Sequence, residues 1–245
     1  MQIISVDIGN SAVKVGFEKQ DSSFAHHRFE SLENIKTELL PDSPCLWSVC
    51  SVNENTCLQL KQWQNSNRPR DHFHVIGPDE IPIESNVDDR ASVGRDRLVA
   101  AWRANSMRPE NEDLVIVDAG TAVTIDYVDK FGVFQGGVIF PGAMASLSSL
   151  ASTTHNLEDF TQSQPNLNKI FDQPIGKNTR DAILSGVLHT QLFAIVEIAQ
   201  LMACDQNVVA TGGQTDLLKS HLPNSWKISK HLVLQGAADI GRLLP

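Results

Sequence analysis

An apolar strand that ends in Asp-x-Gly, followed by a small hydroxyl or amide residue, occurs twice in this chain. Ser5-Val6-Asp7-Ile8-Gly9-Asn10-Ser11 opens the sequence, and Ile116-Val117-Asp118-Ala119-Gly120-Thr121-Ala122 repeats the pattern half a chain later. A second apolar run follows each copy. An Asp at the mouth of a buried strand can hold a hydrated cation. The Gly lets backbone approach a phosphate, whose oxygens the turn N–H groups and Ser/Thr hydroxyls can cradle. One copy carries little weight, because Asp-x-Gly turns are common. Two copies imply a duplicated fold with a nucleotide phosphate chain held between the halves, which is kinase or ATPase chemistry.

Length and charge narrow the field. At 245 residues the chain can bury a sizeable core in one or two domains. With 41% apolar and 20% charged residues it reads as an ordinary globular protein. The net charge of −9 and the scattered Lys and Arg argue against a nucleic-acid partner. Cys45, Cys50, Cys57 and Cys204 form no C-x-x-C pair, so they are expected to be reduced thiols in a cytoplasm. No basic stretch precedes an apolar one at the N-terminus, so no signal peptide is expected. Residues 131–157 carry no charge, but Gly132, Gly136, Gly137, Pro141 and Gly142 break the run. It is expected to form a strand, a turn and a helix, not a membrane span.

The periodicity predicts strands at 2–7, 12–18 and 24–30, a short helix at 31–40, a strand at 45–52, a helix at 53–64 and a strand at 73–76. The second half begins with strands at 114–117, 122–128 and 133–140, then a helix at 142–150. The longest helical pattern runs over 179–203 with a broad apolar face. A strand at 208–211, a helix at 214–220, a strand at 231–235 and a closing helix complete the reading. Residues 151–178 are polar and contain Pro, and are expected to form a lid or a surface excursion. Three antiparallel strands followed by strand–helix alternation, twice over, predict two α/β domains of duplicated topology packed around a cleft, residues 1–112 and 113–245.

Three further clusters carry chemistry. Val93-Gly94-Arg95-Asp96-Arg97 precedes an apolar helix, which puts a carboxylate, guanidinium groups and unpaired N–H groups at one spot. An N-capping Asp with a surface ion pair explains the same residues. Gly136-Gly137-Val138-Ile139-Phe140-Pro141-Gly142 suggests close backbone approach and a turn that suits phosphate, or a simple bulge and turn. Thr211-Gly212-Gly213 ends a strand with bare backbone against which an adenine or ribose could lie; an ordinary turn fits equally. His72 and His74 flank Phe73 with no other ligand near, a surface pattern more than a metal site. Asp88-Asp89 reads as a solvated loop. No Walker P-loop and no G-x-S-x-G turn occurs.

Taken in order, D-x-G-N-S at 7–11, G-R-D-R at 94–97, D-A-G-T-A-V-T-I-D at 118–126, G-G-V-I-F-P-G at 136–142, G-K-N-T at 176–179 and T-G-G at 211–213 resemble the type III pantothenate kinases. The likeness extends to the closing Leu-x-Leu-x-Gly at 232–236. It implies an actin-like, sugar-kinase-like fold of two ribonuclease H-like domains and ATP-dependent phosphorylation of pantothenate, the first step of coenzyme A synthesis.

By the resemblance, Asp7, Ile8, Gly9, Asn10, Ser11, Ala12, Val13 and Lys14 would form the first phosphate turn, holding ATP and Mg²⁺. Thr121 would bind ATP from the other domain, and Asp118 would coordinate K⁺ or NH₄⁺. Gly94, Arg95, Asp96 and Arg97 would contact pantothenate, with Asp96 as proton acceptor, and Thr179 would also touch it. A homodimer is implied, with neither membrane nor nucleic acid as partner. Two positions depart from the pattern. The usual Tyr that lines the substrate pocket is Val87 here, and the neighbouring Asn-Pro is Asp89-Arg90, so a pocket that is reshaped, weakened or altered in specificity is expected. A regulatory protein of the same fold, or a kinase for another small hydroxylated acid, would share these motifs.

Overall fold

A computed structural model describes residues 1–19, 21–153, 167–202 and 207–244. Among them are two five-stranded mixed sheets built on one plan. The first comprises β1 (Gln2–Ile8), β2 (Val13–Glu18), β3 (Phe24–Phe29), β4 (Cys45–Ser51) and β5 (His72–Val75), in the order β3-β2-β1-β4-β5. The second comprises β6 (Leu114–Ala119), β7 (Ala122–Val128), β8 (Phe134–Pro141), β9 (Val208–Thr211) and β10 (Lys227–Ile228), in the order β8-β7-β6-β9-β10. In each sheet the strand that ends in the Asp turn is central. It pairs antiparallel with the strand after the turn, and parallel with the next strand that crosses over. The expected duplication is present, and the fold class is α/β.

The helices are α1 (Glu54–Asn67), α2 (Arg95–Asn105), α3 (Ala143–Thr153), α4 (Leu167–Asp172), α5 (Thr179–Met202), α6 (Thr215–Leu218) and α7 (Leu232–Leu243). The chain divides into two compact units. One holds residues 1–107, 132–134 and 231–245; the other holds 108–131 and 135–230.

In the first unit, strand alternation sorts the side chains by face. Ile4, Val6 and Ile8 join Val15, Trp47 and Val49 in a core closed by Cys57 and Leu60 of α1. The opposite face is paved with small polar residues. Ser5 and Asp7 of β1 stand in register with Ser48 and Cys50 of β4. Against that face lies α7, whose Gly241 sits so close that a Cβ there would meet Ser48 at 2.9 Å. Ser48 Oγ donates to Ala237 O at 2.7 Å, so the buried hydroxyl is satisfied.

In the second unit α5 carries the core. Its Leu192, Ile195 and Ala199 pack with Val115, Val117, Ile125 and Val208. By length and composition α5 is apolar enough to cross a membrane, but Leu184, Leu188, Gln191, Leu192 and Ile195 are buried within this unit. Asn178 starts the helix, its Oδ1 accepting from Asp181 N at 2.8 Å.

Most elements fall where periodicity put them; α4 and β10 have no counterpart in the expected elements, and three expected segments differ. Residues 31–40 form two 3₁₀ turns, Leu32–Asn34 and Thr37–Leu39, each one turn long. Apolar spacing there reflects Ile35 and Leu40 plugging the core, not a helical face. Residues 231–235 begin α7 instead of forming a strand, because Leu232, Val233 and Leu234 are all buried in a helix covered on several sides. Helix α1 continues to Asn67, three residues beyond the helix expected at 53–64. Residues 154–166 of the expected excursion, and Cys204, lie outside the described residues. Cys45, Cys50 and Cys57 are buried free thiols.

Asp71 locks the far edge of the first sheet. It accepts from Trp47 Nε1 at 2.8 Å, Cys45 N at 3.1 Å and Arg68 Nε at 2.5 Å. Burial pushes its carboxyl up, but the hydrogen bonds from Arg68, Trp47 and Cys45 outweigh that and hold it below the ordinary value. A depressed folded value means the stabilisation is present above the unfolded carboxylate range, about pH 4, and is lost as pH falls through the folded value. Asp71→Ala should therefore cost about 3 kcal/mol at pH 7, since it strands a buried guanidinium. Urea unfolding at pH 7 and pH 3 should show that gap narrowing in acid.

Candidate active site

In the first unit, the turn between β1 and β2 is closed by Gly9 N donating to Ala12 O at 3.2 Å. Ile8 and Val13 anchor it in the core, and Asn10 and Ser11 stand exposed at its tip. Asp7 and Lys14 are cross-strand partners, and Lys14 Nζ lies 2.8 Å from Asp7 Oδ2. Only 6% of Asp7 is exposed, so it needs such a partner. A groove of about 700 Å³ borders this turn, lined also by Ser31, Thr56, Gln59 and Trp63.

Helix α2 starts at the same edge of the sheet, where the parallel strands β1 and β4 end. Gly94 is its N-cap, and Asp96 lies in the first turn with Oδ1 accepting from Arg97 N at 2.9 Å. The carboxylate folds over Gly94, where a Cβ would meet Asp96 Oδ1 at 2.6 Å. Thus the cap is Gly94, not Asp96 as the alternative reading had it, and the carboxylate sits on the helix's positive end. Arg95 Nη1 reaches Ser51 O at 3.4 Å and ties α2 to the end of β4.

Cys50, in register with Asp7, reports how these groups converge. Burial first, then the charges of Asp7 and Asp96, push its thiol well up, against Arg95 and Lys14. It stays a protonated thiol with no nucleophilic role. Val87 is half-buried in the loop before α2. The neighbouring Asn86 N donates to Phe134 O at 2.9 Å, and the Arg97 guanidinium stands 5.7 Å over the Phe134 ring.

In the second unit, Gly120 N donates to Ala122 O at 3.0 Å and closes the matching turn. Thr121 lies at its exposed tip, and its carbonyl accepts from Gly142 N at 2.9 Å, so the Pro-Gly segment packs on the turn. Asp118 stands in register with Thr211 of β9. Gly212 follows with φ +97°, and a Cβ there would meet Asp118 Oδ1 at 2.3 Å and Ala119 O at 2.4 Å. Only glycine fits, so the T-G-G motif is the floor beneath the second carboxylate. Thr179 is exposed at the first turn of α5.

The first unit therefore gathers Asp7, Gly9, Asn10, Ser11, Lys14 and Gly94 to Arg97 at one sheet edge. The second gathers Asp118, Gly120, Thr121 and the Gly142 and Gly212 turns. Two residues escaped sequence reasoning. Gln214 ties three segments: its N donates to Ala119 O at 2.8 Å, and its Oε1 accepts from Ala143 N at 3.4 Å and Gln191 Nε2 at 3.1 Å. Phe134 seats Arg97. Neither belongs to a motif, and a lone Gln or Phe carries no spacing signal. Among the described residues no cluster of three His, Cys, Asp or Glu could hold a metal on its own. A cation here would take a carboxylate together with backbone and phosphate oxygens, as hard cations do.

The sequence profile of the type III pantothenate kinases matches residues 3–201. A type III pantothenate kinase from Hahella chejuensis is 36% identical over 159 residues, covering 64% of this chain and 62% of that protein. One from a Sulfurihydrogenibium species is 26% identical over 257 residues, covering 96% of this chain and 97% of that protein. Among solved structures, a Sinorhizobium meliloti protein provisionally named 2-dehydro-3-deoxygalactonokinase superposes with a TM-score of 0.53 at 14% identity. That match covers 99% of this chain and 96% of the other, and shows a shared fold. With the profile spanning most of its length and all six motifs in order, this chain belongs to the type III pantothenate kinase family.

Proposed function

We propose that this kinase transfers the γ-phosphoryl group of ATP to the primary hydroxyl of pantothenate, giving 4′-phosphopantothenate for coenzyme A synthesis in the cytoplasm. The observation that carries the reading is the Asp96 carboxylate, held at the start of α2 by Arg97 N at the sheet edge where Asp7 and Lys14 meet. Phosphoryl transfer rests mostly on positioning and charge stabilisation, with one carboxylate orienting the attacking hydroxyl. Asp96 accepts the hydroxyl proton, and Arg97 pairs with the substrate carboxylate. Residues 7–14 hold the phosphate chain on turn N–H groups, and the Lys14 ammonium supplies positive charge in an acidic chain. Thr121 does the corresponding work from the second unit, while Thr179 touches pantothenate. Mg²⁺ supplies charge neutralisation on the phosphates when bound, and Asp7 is the carboxylate suited to face it.

Two finer features belong to the same reading. Asp118, over bare Gly212 backbone, provides the carboxylate of a K⁺ or NH₄⁺ site. The exposed side of α5, with Phe193 at 60% and Leu201 at 84% exposure, offers the contact face of a homodimer.

Asp96→Asn should lower kcat by about 10²–10⁴-fold with the fold retained, the usual range for a lost acid–base group. Gly94→Ala should fall in the same direction, because its new methyl displaces that carboxylate; wild-type turnover in both variants would remove Asp96 from the chemistry. Replacing K⁺ with Na⁺ should depress turnover of the wild type, and Asp118→Asn should abolish that dependence; equal rates in both salts would refute the cation site. Light scattering should report a dimer that Phe193→Glu with Leu201→Glu splits, and a monomeric wild type would contradict the α5 interface.

A further inference from the structure

The loop that leads into the G-R-D-R motif has almost no regular structure, yet one side chain holds it throughout. Arg90 Nε and Nη2 donate to Pro78 O at 3.3 and 3.0 Å. Nη2 also reaches Ile81 O at 2.9 Å, while Nη1 reaches Ile83 O at 2.8 Å and Ser85 Oγ at 3.0 Å. A guanidinium has five N–H donors in a rigid planar fork. Here they all turn inward onto one stretch of loop, an arrangement lysine cannot copy. Asp89 fixes the other end by capping the 3₁₀ turn Arg90–Ser92, its Oδ1 accepting from Ala91 N at 3.0 Å.

The stapled loop then grips Phe134. Phe134 N donates to Glu84 O at 2.8 Å, and Asn86 N donates back to Phe134 O at 2.9 Å, a parallel bridge centred on Ser85. The Phe134 side chain is fully buried, and its ring lies 5.7 Å beneath the Arg97 guanidinium. The chain of contact therefore runs from Arg90 to residues 84–86, to Phe134 and on to Arg97. Val87, in the middle of the loop, has neither a ring nor a hydroxyl with which to order it.

We propose that Arg90 is a positioning residue that sets the shape of the 78–93 loop and, through Phe134, the placement of Arg97 for a carboxylate-bearing substrate. This rests on Arg97 being the group that meets the pantothenate carboxylate. Arg90 spends its donors on Pro78, Ile81, Ile83 and Ser85 of its own loop, so its loss should act on one substrate alone.

The test uses the full chain as wild type, Arg90→Lys, Arg90→Ala and the milder Ser85→Ala. Arg90→Ala should raise the KM for pantothenate by about tenfold or more, the scale of one lost charge-assisted hydrogen-bond set. The KM for ATP and kcat should stay within about threefold, Arg90→Lys should recover only part of the loss, and Ser85→Ala should shift the same KM by about twofold. Amide hydrogen exchange over residues 84–93 should quicken in both Arg90 variants. An unchanged pantothenate KM in Arg90→Ala would overturn the proposal. So would an equal rise in both KM values with a drop in melting temperature, which marks a fold role only. If the wild type does not act on pantothenate, the functional reading falls by itself, and the exchange arm still decides: unchanged protection over 84–93 in Arg90→Ala refutes the staple.

Discussion

In the first unit everything at the site follows from how closely α7 approaches the central strands. Large side chains on that face of β1 and β4 would push the helix off, since even a Cβ at Gly241 would meet Ser48 Cβ at 2.9 Å. Here the face is Ser5, Asp7, Ser48 and Cys50, and the helix answers with Ala237 and Gly241. Gly236 in turn lets α2 close in, since a Cβ there would meet Val99 Cγ1 at 2.7 Å. With α7 and α2 this close, the first turn of α2 stands over the end of the parallel strands, and Asp96 comes to the edge that Asp7 occupies. Enlarging a small residue on this face would move the Asp96 carboxylate, the proposed proton acceptor, without touching it.

The second unit reaches an equivalent end by other means. Its Asp turn sits on the bare backbone of Gly212, where a side chain would collide with Asp118 itself. Gln214 then fastens three neighbouring segments with one amide. On the proposed reading the two Asp turns carry phosphate and need to be rigid before substrate arrives, since any reorganisation adds to the barrier. Both units meet that need with close backbone packing, not with long side chains that would have to be ordered.

Much of this was legible in the sequence because the signals were local. The Asp-x-Gly turns, the strand lengths at 122–128 and 208–211 and the glycines of T-G-G and P-G are each fixed by what neighbouring residues can adopt. The rest depends on partners far along the chain. Residues 31–40 carry helix-like spacing, yet Ile35 and Leu40 are apolar because the core of the first unit needs plugs there. Leu232 to Leu234 look like a strand because three consecutive apolar residues are all buried at the start of α7, so a short window shows no helical period. Arg90 was visible only as a departure from the family pattern. Its five donors find acceptors by the path of the loop, which no spacing rule encodes.

On the proposed reading these two turns and Asp96 serve phosphorylation of pantothenate. The most direct measurement is phosphorus NMR of pantothenate incubated with the protein, ATP, Mg²⁺ and K⁺, with ADP followed in parallel. A new phosphomonoester on the primary hydroxyl should form in step with ADP and be absent when pantothenate is omitted. ADP release that ignores pantothenate, or folded protein that binds ATP and leaves pantothenate unmodified, would contradict it.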